Sequence, residues 1–337
     1  MINHFPDPDL PEHVDIRSLD NARVVPDGVI DSYGLDNAVI SALDTGSYNI
    51  HFKIESDGNL FDLRKSNRPS QIGNLNYESE LLNHLRTQGF SLAPEVVPSK
   101  SGAYNLWVDG TGWTLFKWMG SDSAPQRERA NRSRAQAAVK TLADIHRLSK
   151  DFSPEAERGE WPIFTLPTVN PATWLKRAES LADELNDEGT DLRRMSRQSA
   201  GELGQIDFDS LPEYMCHGDY RMRNLQFAGD EITGVFDFDT SIRTTRLFDL
   251  AGVVTRFSPL DGDPQADVEA GSTFLKEYHE LLPLSTAEID ALPTLIRWRL
   301  LREVVVYYDT WWFDVRSACV DLFSGAAEKI VNQVSPG

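Results

Sequence analysis

The stretch Cys216-His217-Gly218-Asp219-Tyr220-Arg221-Met222-Arg223-Asn224 carries the densest chemistry in the chain. Leu225-Gln226-Phe227 follows, then a turn at Ala228-Gly229-Asp230, and Ile232-Thr233-Gly234-Val235-Phe236-Asp237-Phe238-Asp239 runs back. Apolar runs on either side of such a turn predict a hairpin, which would set Asn224 beside Asp237. Single Asp and Asn residues are ordinary turn formers. Here Asp219 precedes Asn224 by five positions and Asp237 by eighteen, and the hairpin joins them. Phosphoryl transfer needs an acceptor for a hydroxyl proton and oxygen ligands that hold a metal ion on nucleotide phosphates. Asp219 is the candidate base; Asn224 and Asp237 are the candidate metal ligands.

Upstream of this stretch the chain changes character twice. Residues 1–35 are rich in Pro and Asp, with one short helix expected near Val29 to Tyr33. Residues 36–119 read as a small sheet with one helix: strands over Ala38 to Leu43, Tyr48 to Ile54 and Leu60 to Arg64, the last two joined by Asp57-Gly58-Asn59. Glu78, Leu81, Leu82 and Leu85 recur at helical spacing, with Gly89 where a C-terminal cap belongs. More strands are expected between Glu95 and Met119, turning at Gly110-Thr111-Gly112.

From residue 120 to 337 the chain reads as mostly helical. Ala135, Ala138, Leu142 and Ile145 form an apolar stripe, and a second helix is expected from Thr173 to Leu185. Residues 205–254 read as short strands. Further helices are expected over Asp267 to Leu282, Leu295 to Asp314 and Ala318 to Gln333, with a capping box at Ser285 and Glu288. The expected fold class is α+β, a small antiparallel-sheet lobe followed by a larger helical one.

His217-Gly218-Asp219, Asn224, Phe236-Asp237-Phe238-Asp239 and Leu247-Phe248-Asp249-Leu250-Ala251 together resemble the aminoglycoside phosphotransferase / homoserine kinase-like superfamily, which is similar in fold to protein kinases. The resemblance covers residues 36–260 and is tightest over 214–252. It implies a catalytic base at Asp219, a bracing role for His217, Mg²⁺ ligands at Asn224 and Asp237, an architectural acid at Asp249 and a supporting one at Asp239. It also implies ATP as phosphate donor, with GTP not distinguished by the sequence. In the small lobe, Gly46 and Ser47 fall where the family's nucleotide-covering loop lies. Arg64 matches the phosphate-binding cation and Glu78 its helix partner. Lys65 competes for that role, but strand alternation turns it to the other face, and Glu80, around the helix, is expected in solvent. The segment Leu115-Phe116-Lys117-Trp118-Met119, between the lobes, is the expected purine site, where backbone groups can hydrogen-bond the base, with Phe116 and Trp118 as candidate residues.

The acceptor is expected against the last helices, where Tyr307, Asp309, Trp311 and Asp314 combine aromatic rings with acids. Val304, Tyr308 and Trp312 at helical spacing read instead as core. Lys and Arg total 33 against 52 Asp and Glu, a net charge of −19. That balance argues against a nucleic-acid or anionic-membrane partner and favours a cationic small molecule. An amino-bearing hydroxyl acceptor is therefore expected: an aminoglycoside-like antibiotic, homoserine or an amino alcohol. A neutral sugar or nucleoside is the alternative. A non-catalytic ligand-binding relative is disfavoured because base and both metal ligands are present. No apolar run is long enough to span a bilayer, no signal peptide is expected from the N-terminal residues, which lack a basic start and an apolar stretch, and the two cysteines, Cys216 and Cys319, make no disulfide framework. The expected location is the cytoplasm; the oligomeric state is not read from the sequence.

Overall fold

A computed structural model describes residues 24–43, 49–66, 72–120, 132–158, 171–184, 187–256, 264–307, 325 and 327–332. Its small lobe is built on a sheet of order β1-β2-β3-β6-β4, with β5 also paired to β6. The strands are β1 Val39–Leu43, β2 Ile50–Ser56, β3 Asn59–Lys65, β4 Val96–Val97, β5 Asn105–Val108 and β6 Thr111–Lys117. All pair antiparallel. Asp57-Gly58 and Asp109-Gly110 each take positive φ at both positions, 49° and 75° in the first and 51° and 73° in the second. Such turns match the twist of the strands they join.

Strand alternation divides this sheet into two unlike faces. On one, Phe52, Ile54, Leu63, Trp113 and Leu115 form a core with Val29, Tyr33 and Leu35 from helix α1 (Asp27–Tyr33) and the turn after it. The N-terminal helix is thus the cover of the sheet. On the other face lies α2 (Ile72–Thr87), whose Leu81, Leu82 and Leu85 belong to the core of the large lobe.

The large lobe contains α3 Arg132–Leu148, α4 Pro171–Glu184, α5 Asp187–Leu203, α6 Leu247–Arg256, α7 Pro264–Leu281 and α8 Thr286–Tyr307. Two small antiparallel pairs sit among them: β7 Glu213–Cys216 with β10 Ile242–Thr245, and β8 Leu225–Ala228 with β9 Glu231–Val235. Leu142, Ile145, Leu247, Leu250, Val253, Leu275, Leu295 and Ile296 are essentially inaccessible at its centre.

Several expectations are corrected here. The end of the presumed strand region is helix α6, in which Leu247, Leu250, Ala251 and Val254 recur at helical spacing and residues 247–254 are all buried. Helix α5 was not expected at all. The last described long helix starts at Thr286 and passes through Pro293 without ending there. Its capping box forms, with Ser285 N–H donating to Glu288 Oε2 at 2.8 Å and Glu288 N–H to Ser285 Oγ at 3.3 Å. Trp298 is buried against Phe248 and belongs to the core. No described helix is long and apolar enough to cross a membrane.

Candidate active site

The loop between β7 and β8 is held by its backbone. Gly218 has φ +85°, and a Cβ there would lie 2.3 Å from the Thr240 carbonyl oxygen, so only glycine fits between His217 and Asp219. Asp249, at the start of α6, accepts the N–H groups of His217 at 2.6 Å and Gly218 at 2.8 Å. Oδ2, which takes the His217 N–H, also lies 3.1 Å from His146 Nε2, and His146 Nδ1 in turn lies 2.6 Å from the Tyr278 hydroxyl. Burial pushes the Asp249 carboxyl up, but the bond and charge of His146, the charge of His217 and the Gly218 N–H outweigh it and leave the pKa below its ordinary value.

His217 is fully buried. Its Nε2 lies 3.0 Å from the Phe236 carbonyl oxygen, and Asp219 N–H donates to Nδ1 at 3.3 Å. Those partners suit the neutral ring protonated at Nε2, and desolvation by burial holds the pKa below the usual histidine value. The ring is a brace between the loop and the strand that leads to Asp237.

Asp219 and Asn224 touch: Asn224 Nδ2 donates to the Asp219 carbonyl at 2.8 Å and to Oδ2 at 3.1 Å. This fixes the amide so that Oδ1 points away from Asp219. Phe236 N–H donates to the Asn224 carbonyl at 2.9 Å, which brings the β9 end of the hairpin against Asn224. Asp237 follows at once with φ 67°, ψ 53°, a left-handed conformation open to Asp at modest cost. The hairpin therefore gathers Asp219, Asn224 and Asp237, as expected. An amide oxygen and a carboxylate make an all-oxygen donor set, which suits a hard divalent cation.

Four contacts in and around the two lobes were not foreseen. Arg221 Nη2 pairs with Asp219 Oδ2. Asn49, at the entry to β2, donates to Asp239 Oδ2 at 3.2 Å, across 190 residues. Arg158 Nη2 donates to the Asp239 carbonyl at 2.7 Å, with its guanidinium 5.4 Å from the Tyr77 ring of α2. Glu80, expected in solvent, accepts the N–H of Glu155 at 2.7 Å and of Ala156 at 3.3 Å. A carboxylate two positions round the helix from Glu78 thus anchors the segment after α3. Phe152 of that segment is edge-on to Tyr77, with centroids 5.8 Å apart. Arg221 stood inside the quoted loop, but only proximity reveals its partner.

In the small lobe, Arg64 and Glu78 form a buried two-pronged pair, at 2.8 Å from Nη1 and 2.5 Å from Nη2. Burial would lower the Arg64 pKa, but Glu78, with lesser help from Asp239 and Asp237, raises it, so the guanidinium stays charged. Its fork also lies over Phe116, 5.1 Å from the ring centroid. Lys65 points to the other face, over Trp113, as alternation required. Phe116 is inside β6, paired with Asp62 and Val96. Trp118 lies beyond the strand, with Lys53 Nζ 5.3 Å from its ring. Gly46, Ser47, Asp309, Trp311 and Asp314 lie outside the described residues, as do Tyr308 and Trp312. Tyr307 is the last described residue of α8, and its side chain is outside the description.

Residues 40–284 match the model of the phosphotransferase enzyme family known as APH. The chain belongs to this family. It is 25% identical over 262 residues to a homoserine kinase of Rhodopseudomonas palustris (strain BisA53), covering 76% of this chain and 74% of that one. A homoserine kinase of Beijerinckia indica subsp. indica is 23% identical over 287 residues, with 83% of each chain covered. Among solved structures, a microcompartment-associated aminopropanol kinase superposes with a TM-score of 0.66 at 21% identity, covering 89% of this chain and 94% of that one. The amicoumacin kinase hAmiN, in complex with AMP-PNP, Ca²⁺ and Ami, gives 0.63 at 17%, covering 92% and 95%. The fold is thus the kinase-like fold of the APH family, and the chain is a small-molecule O-phosphotransferase. Chemistry of this family calls for a nucleoside triphosphate and a divalent cation.

Proposed function

We propose that this APH-family enzyme transfers the γ-phosphate of Mg·ATP to a hydroxyl of a small, amine-bearing molecule. The observation that carries the reading is the Asp219–Asn224–Asp237 cluster, gathered by one hairpin below the Arg64–Glu78 pair. Residues 36–119 would form the nucleotide lobe and 120–337 the catalytic and acceptor lobe, with the purine near Phe116 and Trp118. GTP would fit the same description.

In this reading Asp219 accepts the proton of the acceptor hydroxyl as its oxygen attacks the γ-phosphorus. Its backbone is fixed by His217 and its carboxylate by Asn224 and Arg221, so little reorganisation is needed when charge moves. Arg64, oriented by Glu78, would meet phosphate oxygens. Asn224 Oδ1 and the Asp237 carboxylate would hold Mg²⁺, which when bound supplies neutralising charge on the phosphates. The loop at Gly46 and Ser47 would cover them.

An amine on the acceptor is supported by the net charge of −19 and by the names of the relatives, since homoserine and aminopropanol are both amino alcohols. Tyr307, Asp309, Trp311 and Asp314 are the side chains proposed to meet it. The deciding experiment is a screen of hydroxyl compounds with Mg·ATP, read as mass gain of one phosphate, with amino alcohols, amino acids, antibiotics and neutral sugars side by side. Phosphorylation of an amine-bearing acceptor, with a KM that rises with ionic strength, is expected. A neutral sugar as best acceptor would overturn the amine assignment and leave the transferase standing. On the true acceptor, Asp219→Asn should lose about 10²–10⁴-fold in kcat while still binding nucleotide. Asp237→Ala should weaken Mg·ATP binding in calorimetry; an unchanged affinity would move the metal role to Asp239.

A further inference from the structure

The cleft-facing side of the small sheet holds a second ion pair that the mechanism above does not use. His51 of β2 is the register partner of Arg64 in β3, and Arg64 is the partner of Thr114 in β6. Antiparallel partners project to the same side, and so do residues two apart on a strand. His51, Asp62 and Arg64 therefore share one face, opposite to the face that α1 covers. His51 Nδ1 lies 2.9 Å from both carboxylate oxygens of Asp62. The two side chains are 23% and 26% exposed, whereas those of Arg64 and Glu78 are 6% and 3% exposed. The His–Asp pair is thus the open part of a row whose inner part is sealed.

We infer that His51 is a nucleotide-binding residue whose Nε2–H, turned away from Asp62, meets the polyphosphate; the inference rests on the nucleotide site proposed above. Three observations carry it. First, a carboxylate on Nδ1 orients the ring and leaves Nε2 as its outward atom, as in other carboxylate-held histidines. Second, the neighbours whose charges act on His51, besides Asp62, are Arg64 and Asp237, the groups assigned to the phosphates and the metal. His51 is thus the cross-strand neighbour of the cation and within electrostatic reach of the acid. Third, burial pulls the imidazole pKa down, but the Asp62 charge and hydrogen bond overcome it, with a further contribution from Asp237, so the pKa stands above its ordinary value and favours the donor at Nε2.

The pairing also explains why Asp62 is tolerated. A bare carboxylate beside a polyanionic ligand would repel it, and His51 cancels that charge. Replacing His51 should therefore hurt phosphate binding twice, by removing a donor and by exposing Asp62. Removing both partners should hurt less than removing His51 alone.

Calorimetry on the full chain with ADP and with adenosine, each in the presence of Mg²⁺, tests this. His51→Gln is expected to weaken ADP about tenfold, the value of one charge-assisted contact, and adenosine less than about twofold. Asp62→Asn is expected to weaken ADP less, and His51→Gln/Asp62→Asn should bind ADP more tightly than His51→Gln. Thermal unfolding of each variant checks that the sheet is intact, and Asp62→Asn serves if His51→Gln does not fold. ADP affinity unchanged in both single variants overturns the inference and leaves the proposed function untouched. Equal losses for ADP and adenosine also overturn it, by placing the ring on the nucleoside. If the wild type binds no ADP, both this inference and the nucleotide site fail together.

Discussion

Arg64 with Glu78 and Arg246 with Glu288 are the same two residue types in two lobes, each joined by two hydrogen bonds, end-on through Nη1 and Nη2 in the first and side-on through Nε and Nη2 in the second. Arg246 donates to Glu288 at 2.6 and 2.9 Å and to the carbonyls of Leu282 and Pro283 at 3.2 and 2.6 Å. Its guanidinium lies over Tyr214 at 4.6 Å and Tyr278 at 5.7 Å, and Glu288 also closes the capping box of α8. Arg64 has Glu78 and the Phe116 ring, and its Nε meets no hydrogen-bond partner among the described residues. One pair is satisfied on every side and joins three helical elements. The other is satisfied toward α2 through Nη1 and Nη2 and leaves a buried Nε over. A buried ion pair by itself says little about purpose; the donors left over say more.

The comparison can be broken by substitution. Glu288→Ala strands a buried guanidinium and removes a helix cap, so it should cost about 3–5 kcal/mol of stability, measured by urea unfolding. The protein that remains folded should keep its turnover per active site. Arg64→Ala should do the reverse: about a 10²-fold loss in kcat/KM, roughly 2.7 kcal/mol of transition-state binding, with a smaller drop in Tm than Glu288→Ala. Equal Tm losses in the two variants would break the contrast.

A pH profile sharpens it. Burial pushes the Glu288 carboxyl up, but Arg246 and Ser285 more than offset this, so its folded pKa is below the unfolded value, as is that of Asp249. Their stabilisation is complete above the unfolded carboxylate pKa, about 4, and is lost as pH falls through the folded values. Unfolding free energy should therefore be insensitive to these groups near neutrality and fall in acid, with a shallower acid limb in Glu288→Gln. A smaller effect is expected for Arg246→Met/Glu288→Leu, which strands no charge but still loses the α8 cap and the bonds to the Leu282 and Pro283 carbonyls, so it should cost less than Glu288→Ala in the same unfolding curves.

The parts of the fold that sequence spacing could announce were those with short-range causes. Asp57-Gly58 and the hairpin before Asp237 are local turn chemistry, and the partners they bring together are fixed by strand geometry alone. Arg64 and Glu78 were legible through the resemblance to the family, and strand alternation then separated Arg64 from Lys65. Helix α5 escaped because Ser196 and Ser199 sit buried in its inward stripe beside Leu192 and Leu203, so its apolar signal is thin. Helix α6 escaped for the opposite reason, being buried on all sides. Arg158, Asn49 and the true surroundings of Glu80 depend on chain separated by 75 to 190 residues, and nothing in local pattern encodes those meetings.

The Glu80 anchor has a mechanical consequence. Glu78 holds Arg64 from one turn of α2, while Glu80, on the same turn, is bonded to two backbone amides of the large lobe. Tyr77 adds a third hold through Arg158 and Phe152. A rotation of α2 that withdrew Glu78 from Arg64 would have to strip those amides and unstack those rings together. The helix is a riveted strut rather than a lever, so rotation of α2 alone does not free its ion pair.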